Sequence, residues 1–283
     1  ASDDVRKQQG HERGNGVALY QPKETEDHKA GAASLESILK DAVKGNSFRL
    51  MFQPMISLKG EETEHYEALL RLNMPDGEEL SAGDFMNSAD ISDELKRKID
   101  RWVVLHTTKL LGEHRAKGHN TRVFINLSGA SLLDEALPAW IGVAINAAKL
   151  PKGAVVLQFN EDDASTMLKQ AQIFCSTLRE KAIPAALSRF GCALNPMQTV
   201  QHLAVDYVKI DGSFTKELGA GQGALKDLLK ELHEEEKKTI IPLVESATSV
   251  AALWQLGVDF IQGYYVQPPQ AAMAFNFSED DEI

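Results

Sequence analysis

A short apolar stretch, HYEALLRL at residues 65–72, carries one carboxylate, Glu67, and one guanidinium, Arg71. The stretch has the pattern of a β-strand, in which alternate side chains share a face, so Glu67, Leu69 and Arg71 should point the same way. Burying two charged groups is unfavourable unless each of them has a partner. That partner could be a metal ion, a bound ligand or the other charge of the pair.

The composition narrows the classes of function that this chain can have. It has 283 residues, of which 43% are hydrophobic, and a net charge of −11 with no dense Lys/Arg stripe, which argues against nucleic acid as a partner. Cys175 and Cys192 form no disulfide framework, and the eight histidines show no spacing typical of a metal site, so none is expected to bind metal. Without a signal peptide or a membrane-length apolar run, we expect a cytoplasmic protein with no membrane insertion.

Strand-like and helix-like segments alternate through most of the chain. Apolar runs predict strands at 48–58, 65–72, 121–127, 154–159, 183–187, 205–210, 238–244 and 258–266. Helices are predicted at 93–117, 131–148, 163–181, 221–237 and 247–256, the first of them capped by Ser92. The 59–64 connection is too short for a crossover helix, so the first strand should be antiparallel to the second. Eight strands in about 235 residues predict an α/β fold, a (β/α)₈ TIM-like barrel with an antiparallel first strand.

The two ends of the chain differ from the part that should form the barrel. Residues 1–33 are polar and glycine-rich, which is typical of a linker, although GNGVALY at 14–20 also has the pattern of a turn followed by a strand. The barrel domain is expected to span 34–276. Residues 277–283 are predicted to form an acidic C-terminal tail.

Function in such a barrel lies at the C-terminal ends of the strands, and polar residues cluster there in this sequence. They are Glu67, Arg71, Asn126, Ser128, Gln158, Glu161, Ser188, Arg189, Lys209, Asp211, Glu245 and Gln262. Core packing alone would not place polar groups near the ends of so many strands. The pattern therefore predicts a binding or catalytic site at this rim.

Five segments occur in the order and at the spacing of a known family. They are FQPMISL, YEALLRL, FINLSGASL, DYVKIDGSF and LGVDFIQGYYVQPP. On these segments the chain resembles, over residues 46–270, the EAL domain family of cyclic-di-GMP phosphodiesterases. The resemblance implies a barrel whose first strand is antiparallel. It also implies that active relatives hydrolyse one phosphodiester with two divalent metals, which are held by carboxylates and an Asn.

The positions that correspond to the metal ligands of active relatives depart from the family pattern. Glu67 and Asn126 match two ligands, but acidic positions of the family fall on Gln158, Ser188, Arg189 and Pro242. The resemblance therefore implies a degenerate site with too little negative charge for two divalent ions. We expect no catalytic residues, no metal and no required cofactor.

The residues that hold the nucleotide in the family are better preserved. The resemblance implies that Arg71 binds a phosphate and that Asp100 and Glu245 accept hydrogen bonds from guanine. Apolar faces for the bases and further polar contacts complete the expected ligand-binding set, which adds Gln53, Glu67, Leu69, Asn126, Ser128, Leu243 and Gln262. Taken without the resemblance, Arg71 could instead pair with Glu67 or another acid at the rim, and Lys209 could pair with Asp211. If Glu67 binds no metal, it should lie near a cation, with Arg189 or Lys209 as the candidates.

This combination resembles degenerate EAL domains that follow a degenerate GGDEF domain, and GNGVALY is similar to the end of a GGDEF domain. Such proteins regulate type IV pili and twitching motility, which implies a PilZ-domain protein of the pilus machinery as partner. We therefore expect a catalytically inactive receptor for cyclic-di-GMP. The alternatives are an active metal-dependent phosphodiesterase and an interaction scaffold that binds no nucleotide.

Overall fold

The computed structural model describes residues 34–45, 47–216, 218 and 223–278, so the predictions for residues 1–33 and for 279–283 lie outside the described residues. The strands are β1 Phe48–Ser57, β2 Glu64–Asn73, β3 Glu79–Ser81, β4 Thr121–Asn126, β5 Val155–Asn160, β6 Ala185–Phe190, β7 Tyr207–Ile210, β8 Lys238–Ile241 and β9 Phe260–Ile261. The α-helices are α1 Leu35–Lys44, α2 Ala82–Phe85, α3 Asp93–Arg115, α4 Leu137–Ala147, α5 Glu161–Thr166, α6 Leu168–Glu180, α7 Pro196–His202, α8 Gly212–Lys216, α9 Gly223–Glu234 and α10 Ala247–Gln255. A 3₁₀ helix spans Gly129–Leu133.

The strands close into a barrel. The strand order is β1-β9-β8-β7-β6-β5-β4-β2, and β1 also pairs with β2, which completes the circle of eight strands. Strand β1 is antiparallel to both of its neighbours, whereas β2 and β4 to β9 run parallel to one another. The predicted TIM-like barrel with an antiparallel first strand is therefore confirmed. The short strand β3 pairs with the outer part of β2.

The barrel interior is a packed apolar core. A cluster of buried side chains from seven strands fills it, comprising Met55, Phe124, Val156, Ala186, Tyr207, Ile240 and Phe260. Strands covered by helices outside and by this core inside need apolar residues on both faces, which explains their continuous apolar runs. The core leaves polar side chains space only at the two ends of the barrel.

Helix α3 connects those two ends. Its N-cap is Ser92, whose side chain accepts a hydrogen bond from the Leu95 amide as the sequence predicted. A helix that links parallel strands runs against their direction, so α3 begins at the C-terminal rim and ends at the N-terminal base of the barrel. Asp100 in its second turn is therefore near the rim, and His114 in its last turn is at the base.

Two helices predicted as single units are divided. The 131–148 prediction is wrong at its start, because α4 begins only at Leu137, with Pro138 in its first turn. Asp134 Oδ1 accepts the Ala136 amide at 3.1 Å and so stabilises a turn before that helix. The 163–181 prediction is interrupted by Met167, whose backbone is not helical (φ −116°, ψ 41°).

Two predicted strands are too long. Strand β8 ends at Ile241 because Pro242 lacks the N–H that a ladder needs. Strand β9 ends at Ile261 rather than 266, because the chain after it crosses closely over the loop that follows β8. A Cβ on Gly263 would lie 2.0 Å from the Val244 carbonyl oxygen, so only glycine allows this crossing. A third predicted strand, 183–187, is displaced in the other direction. Strand β6 continues to Phe190 and therefore contains Ser188 and Arg189.

Candidate functional site

A cleft of about 1140 Å³ opens at the C-terminal rim of the barrel. Most of the predicted ligand-binding residues line it, namely Glu67, Leu69, Arg71, Asp100, Asn126, Ser128 and Leu243. The four positions where the sequence departs from the family's acidic residues line it too: Gln158, Ser188, Arg189 and Pro242. The strands thus bring together, on one surface, residues that are up to 176 positions apart, from Glu67 to Leu243.

The carboxylate of Glu67 lies at the bottom of this cleft and is surrounded by donors. Its Oε1 accepts from Asn126 Nδ2 at 2.9 Å and from Gln158 Nε2 at 3.0 Å. Its Oε2 accepts from Lys209 Nζ at 2.7 Å and from Gln262 Nε2 at 2.8 Å. Lys209, and not Arg71, is therefore the cation that pairs with this buried acid, and no ion pair joins Lys209 to Asp211 among the described residues.

These donors keep Glu67 ionised. Burial alone would raise the pKa of Glu67, but the Lys209 ammonium and the amide donors outweigh it, so the pKa lies below its usual value. The amide of Gln158 also donates to Asn126 Oδ1 at 2.7 Å, which fixes both amide side chains. These hydrogen bonds join side chains from β2, β4, β5 and β7 and from the residue that follows β9.

This residue set does not fit a pair of divalent ions. Such ions need several oxygen ligands, whereas the oxygens of Glu67 already accept from three amides and one ammonium group. Ser188 donates to Asn160 Oδ1 at 3.0 Å, and Arg189 adds positive charge. Among the residues that the structure describes, no three His, Cys, Asp or Glu side chains at this rim bring ligand atoms within 4.8 Å of one another.

Arg71 reaches the cleft from the outer part of β2. Its guanidinium donates to the Leu70 carbonyl at 3.0 Å, and its Nε lies 3.7 Å from Glu79 Oε1 on β3. Of the pairings that the bare sequence allowed, the one with Glu67 is therefore wrong, and the one with another acid is met by Glu79. Among the described residues, the guanidinium makes this one hydrogen bond and one long ion pair to a partly exposed acid, so its other donors can bind an anion in the cleft.

Asp100 is fully buried on α3, at the wall of the cleft. Its Oδ2 accepts three hydrogen bonds: from the Ser128 amide at 2.9 Å, from Ser128 Oγ at 2.6 Å and from Ser131 Oγ at 2.6 Å. Burial raises the pKa of Asp100 to about 6 even though these donors lower it. The acid thus holds the loop after β4 in place, a role that the sequence did not indicate for it.

Two cleft residues have an unusual backbone conformation. Arg189 has φ 53° and Leu243 has φ 58°, in the left-handed region that side chains other than glycine rarely adopt. The other non-glycine residues with positive φ, Lys149, Ala182 and Glu236, follow helices, where this conformation ends the helix. Leu243 is half exposed and overlies Gly212, where a Cβ would meet its Cδ1 at 2.5 Å. This backbone conformation places the Arg189 and Leu243 side chains at the cleft.

Three residues of the predicted ligand-binding set do not line the cleft. Gln53 donates to the Gln267 carbonyl at 3.2 Å, and the amide of Gln262 is bound to Glu67. Glu245 is exposed in the loop between β8 and α10. Contacts of these three residues with a ligand stay a prediction.

The structure also adds residues that sequence reasoning did not select. Lys96 and Asp163 line the cleft, and Lys96 lies one helical turn before Asp100, so its spacing on α3 was the available signal. Glu161, which the sequence did place among the polar rim residues, does not line the cleft: it is buried, and its carboxylate accepts the Gly191 amide at 3.0 Å. Burial raises the pKa of Glu161. The hydrogen bond from Gly191 to Glu161 holds the loop that follows Arg189 in place.

The eight-stranded barrel with one antiparallel strand and a polar cleft at its rim is the architecture of the EAL domain, and residues 36–269 match that family. The chain therefore belongs to the EAL domain family. Among solved structures, the FimX EAL domain from Pseudomonas aeruginosa bound to c-di-GMP is 48% identical, with a TM-score of 0.80 over 85% of this chain and 98% of that one. The Xanthomonas citri FimX EAL domain in complex with c-di-GMP is 28% identical, with a TM-score of 0.77 over 85% and 94%.

Curated relatives include proteins named as enzymes. The cyclic di-GMP phosphodiesterase PdeF of Escherichia coli (strain K12) is 28% identical over 256 residues, which cover 89% of this chain and 33% of the relative. The chain spans about a third of the length of the curated relatives it matches. No helix within the described ranges is both long and apolar enough to cross a membrane.

Proposed function

We propose that this EAL domain binds cyclic-di-GMP without hydrolysing it and reports the bound state to a protein partner. The observation that carries the proposal is the difference between two charged groups in one cleft. Glu67, the acid that should hold metal, has both oxygens occupied by donors, whereas Arg71 keeps donors free for an anion. The 48% identity to a FimX EAL domain bound to c-di-GMP supports the choice of ligand.

The proposed contacts follow from the chemistry of each group. The planar guanidinium of Arg71 suits the two oxygens of a phosphate. Leu69 and Leu243 offer apolar faces for the bases, and the strained backbone of Leu243 holds it there. Asp100 still has one carboxylate oxygen, Oδ1, that makes no hydrogen bond described above and can accept from the N1–H and N2–H₂ edge of guanine.

Binding in this mode requires no metal. Nothing in it uses a divalent ion, because the phosphate charge is met by Arg71, with Arg189 and Lys96 as further cations of the cleft. An active phosphodiesterase, the first alternative, finds support in relatives such as PdeF. The donor shell of Glu67 counts against it. A scaffold without nucleotide is disfavoured by the free donors and exposed apolar groups that line one cleft.

Calorimetric titration with cyclic-di-GMP, with and without EDTA, tests the proposal. We expect saturable binding with one affinity in both conditions. The same samples, incubated with Mg²⁺ or Mn²⁺ and separated by chromatography, should contain no linear dinucleotide. Loss of binding in EDTA together with linear product in metal would favour the active enzyme, and the absence of binding in either condition would favour the scaffold.

The partner and the cellular role rest on the resemblance to FimX-like regulators. We propose that the domain acts in the cytoplasm, that it docks a PilZ-domain protein of the pilus machinery and that it regulates type IV pilus biogenesis. Size-exclusion chromatography of the chain with a candidate PilZ protein, with and without cyclic-di-GMP, tests the docking. Co-elution supports it, and separate elution in both conditions contradicts it.

A further inference from the structure

A second carboxylate of strand β2 lies at the opposite end of the barrel from the cleft, beside two histidines. Glu64 is the first residue of β2, His114 lies in the last turn of α3, and His119 lies in the loop before β4. Their ligand atoms all lie within 4.8 Å of one another. His119 Nδ1 is 2.8 Å from Glu64 Oε1, and His114 Nε2 is 3.3 Å from Glu64 Oε2.

We propose that Glu64, His114 and His119 form a binding site for a divalent transition metal such as Zn²⁺. Two imidazole nitrogens and one carboxylate are a ligand set that zinc accepts, and they leave a fourth position open to water. Hard ions such as Mg²⁺ and Ca²⁺ prefer oxygen ligands and suit this set poorly. The site is independent of the proposed nucleotide cleft.

The distances between the ligand atoms agree with a zinc site. Zinc–nitrogen bonds of 2.0–2.1 Å at tetrahedral angles separate neighbouring ligand atoms by about 3.3 Å. The two nitrogens lie 2.8 Å and 3.3 Å from Glu64, but from different oxygens, Oε1 and Oε2, so the carboxylate must turn for one oxygen to join both nitrogens around an ion. The His114 and His119 rings are stacked at 3.9 Å with 15° between their planes, so at least one ring must rotate before both in-plane lone pairs point at one ion.

The surrounding residues hold the three ligands in place. Thr121 Oγ1 donates to Glu64 Oε2, which orients the carboxylate in the way that outer-shell groups orient metal ligands. Arg115 donates to the Thr121 carbonyl at 2.6 Å and to Asn120 Oδ1 at 3.2 Å, and so fixes the loop that carries His119. The side chain of His119 is 44% exposed, which gives an ion access from solvent.

The test uses the full 283-residue chain and ZnCl₂ as the probe. We expect calorimetry to give one zinc per chain, and we expect zinc to raise the midpoint of thermal unfolding because it binds the folded state. Co²⁺ in place of zinc should give the visible absorption of a site with nitrogen and oxygen ligands. His119→Gln and His114→Gln should each weaken zinc binding at least about tenfold. Gln retains a donor for Glu64 in both variants, so the fold should be kept.

Three controls make the outcome decisive. His202→Gln replaces an exposed histidine of α7 whose ring contacts only the Gln198 carbonyl among the described hydrogen bonds, and it should leave zinc affinity unchanged. Arg71→Ala should also leave it unchanged, which separates this site from the nucleotide cleft. Wild-type zinc affinity in both His119→Gln and His114→Gln would overturn the proposal. So would loss of zinc binding in a His11→Gln, His28→Gln double variant, or no binding of zinc by the wild type.

Discussion

Two glutamates three residues apart on β2 meet opposite surroundings. Glu67 points into the rim cleft, where three amides and one ammonium group donate to it. Glu64 lies at the base, where two imidazoles and one hydroxyl contact it. Amide and ammonium groups only donate to a carboxylate, whereas an imidazole can lose its proton and bind a metal. The neighbours of a carboxylate, and not the acid itself, therefore decide whether it can be a metal ligand.

The largest effect should come from removing the cation beside Glu67. Lys209→Ala would leave a buried carboxylate without charge compensation, and we expect it to lower the free energy of unfolding by about 3–5 kcal/mol. Lys230→Ala is the matched control, since Lys230 is exposed and pairs with Glu234 at 3.8 Å, and its effect should be below about 0.5 kcal/mol. Urea unfolding followed by circular dichroism measures both. A stable Lys209→Ala variant would mean that Glu67 is held by its amide neighbours alone.

Nucleotide affinity should separate Arg71 from Glu67. Arg71→Ala should weaken cyclic-di-GMP binding by more than about 1.5 kcal/mol, or about tenfold, because a charge-assisted contact to phosphate is lost. Glu245→Ala should cost a similar amount if Glu245 meets guanine. Glu67→Ala should cost much less, since Glu67 already has its partners inside the protein. Calorimetry on the three variants, with the surface change Arg179→Ala as control, measures this order, and the reverse order would indicate metal-dependent binding.

Nucleotide affinity should also depend on pH through Asp100. The pKa of Asp100 is raised to about 6, so the acid gains a proton as the pH falls through that value and can no longer accept fully from guanine. Affinity should therefore fall below about pH 6 and be constant above about pH 7. Asp100→Asn should bind more weakly at neutral pH and lose this dependence. If the slope persists in Asp100→Asn, a different group is responsible, and Asp163, whose pKa burial also raises, is the first to test.

Folding stability should fall as the pH rises because of Asp100, whereas nucleotide affinity should rise. Because the folded-state pKa of Asp100 lies above its unfolded value of 3.8, the folded state holds this proton more tightly. The stability that this proton contributes is therefore lost as the pH rises from 3.8 to about 6, and it changes little above that. His65 acts against this trend, because burial lowers its pKa to about 4, so its contribution to stability is lost as the pH falls below about 6.5. Urea unfolding of the wild type and of Asp100→Asn between pH 3.8 and about pH 6 isolates the contribution of Asp100 to the free energy of unfolding.

The sequence predicted the barrel well because strand periodicity and the short 59–64 connection reflect local rules. It also predicted that Glu67 would lie near a cation, with Lys209 as one candidate, since a buried acid needs a partner. It could not predict that the amide of Gln262 donates to Glu67, or that Asp100 holds the loop after β4, because both contacts depend on which strand ends meet in three dimensions. His114 and His119 were missed for the same reason: their carboxylate is 50 and 55 positions away in sequence.

The smallest expected effect is on hydrolysis, which should stay absent when one acid is restored at the rim. This tests directly whether Glu67, unlike Glu64, is prevented from binding metal by its neighbours. Two-metal hydrolysis needs several carboxylates around ions about 4 Å apart. Gln158, Ser188 and Pro242 would still occupy acidic positions after Arg189→Asp, and the donors of Glu67 would remain. Arg189→Asp with Mg²⁺ or Mn²⁺ should therefore form no linear dinucleotide, like the wild type. Chromatographic detection of linear product from either protein, abolished by chelator, would show that Glu67 can exchange its donors for metal, and would make the active phosphodiesterase the better account of this cleft.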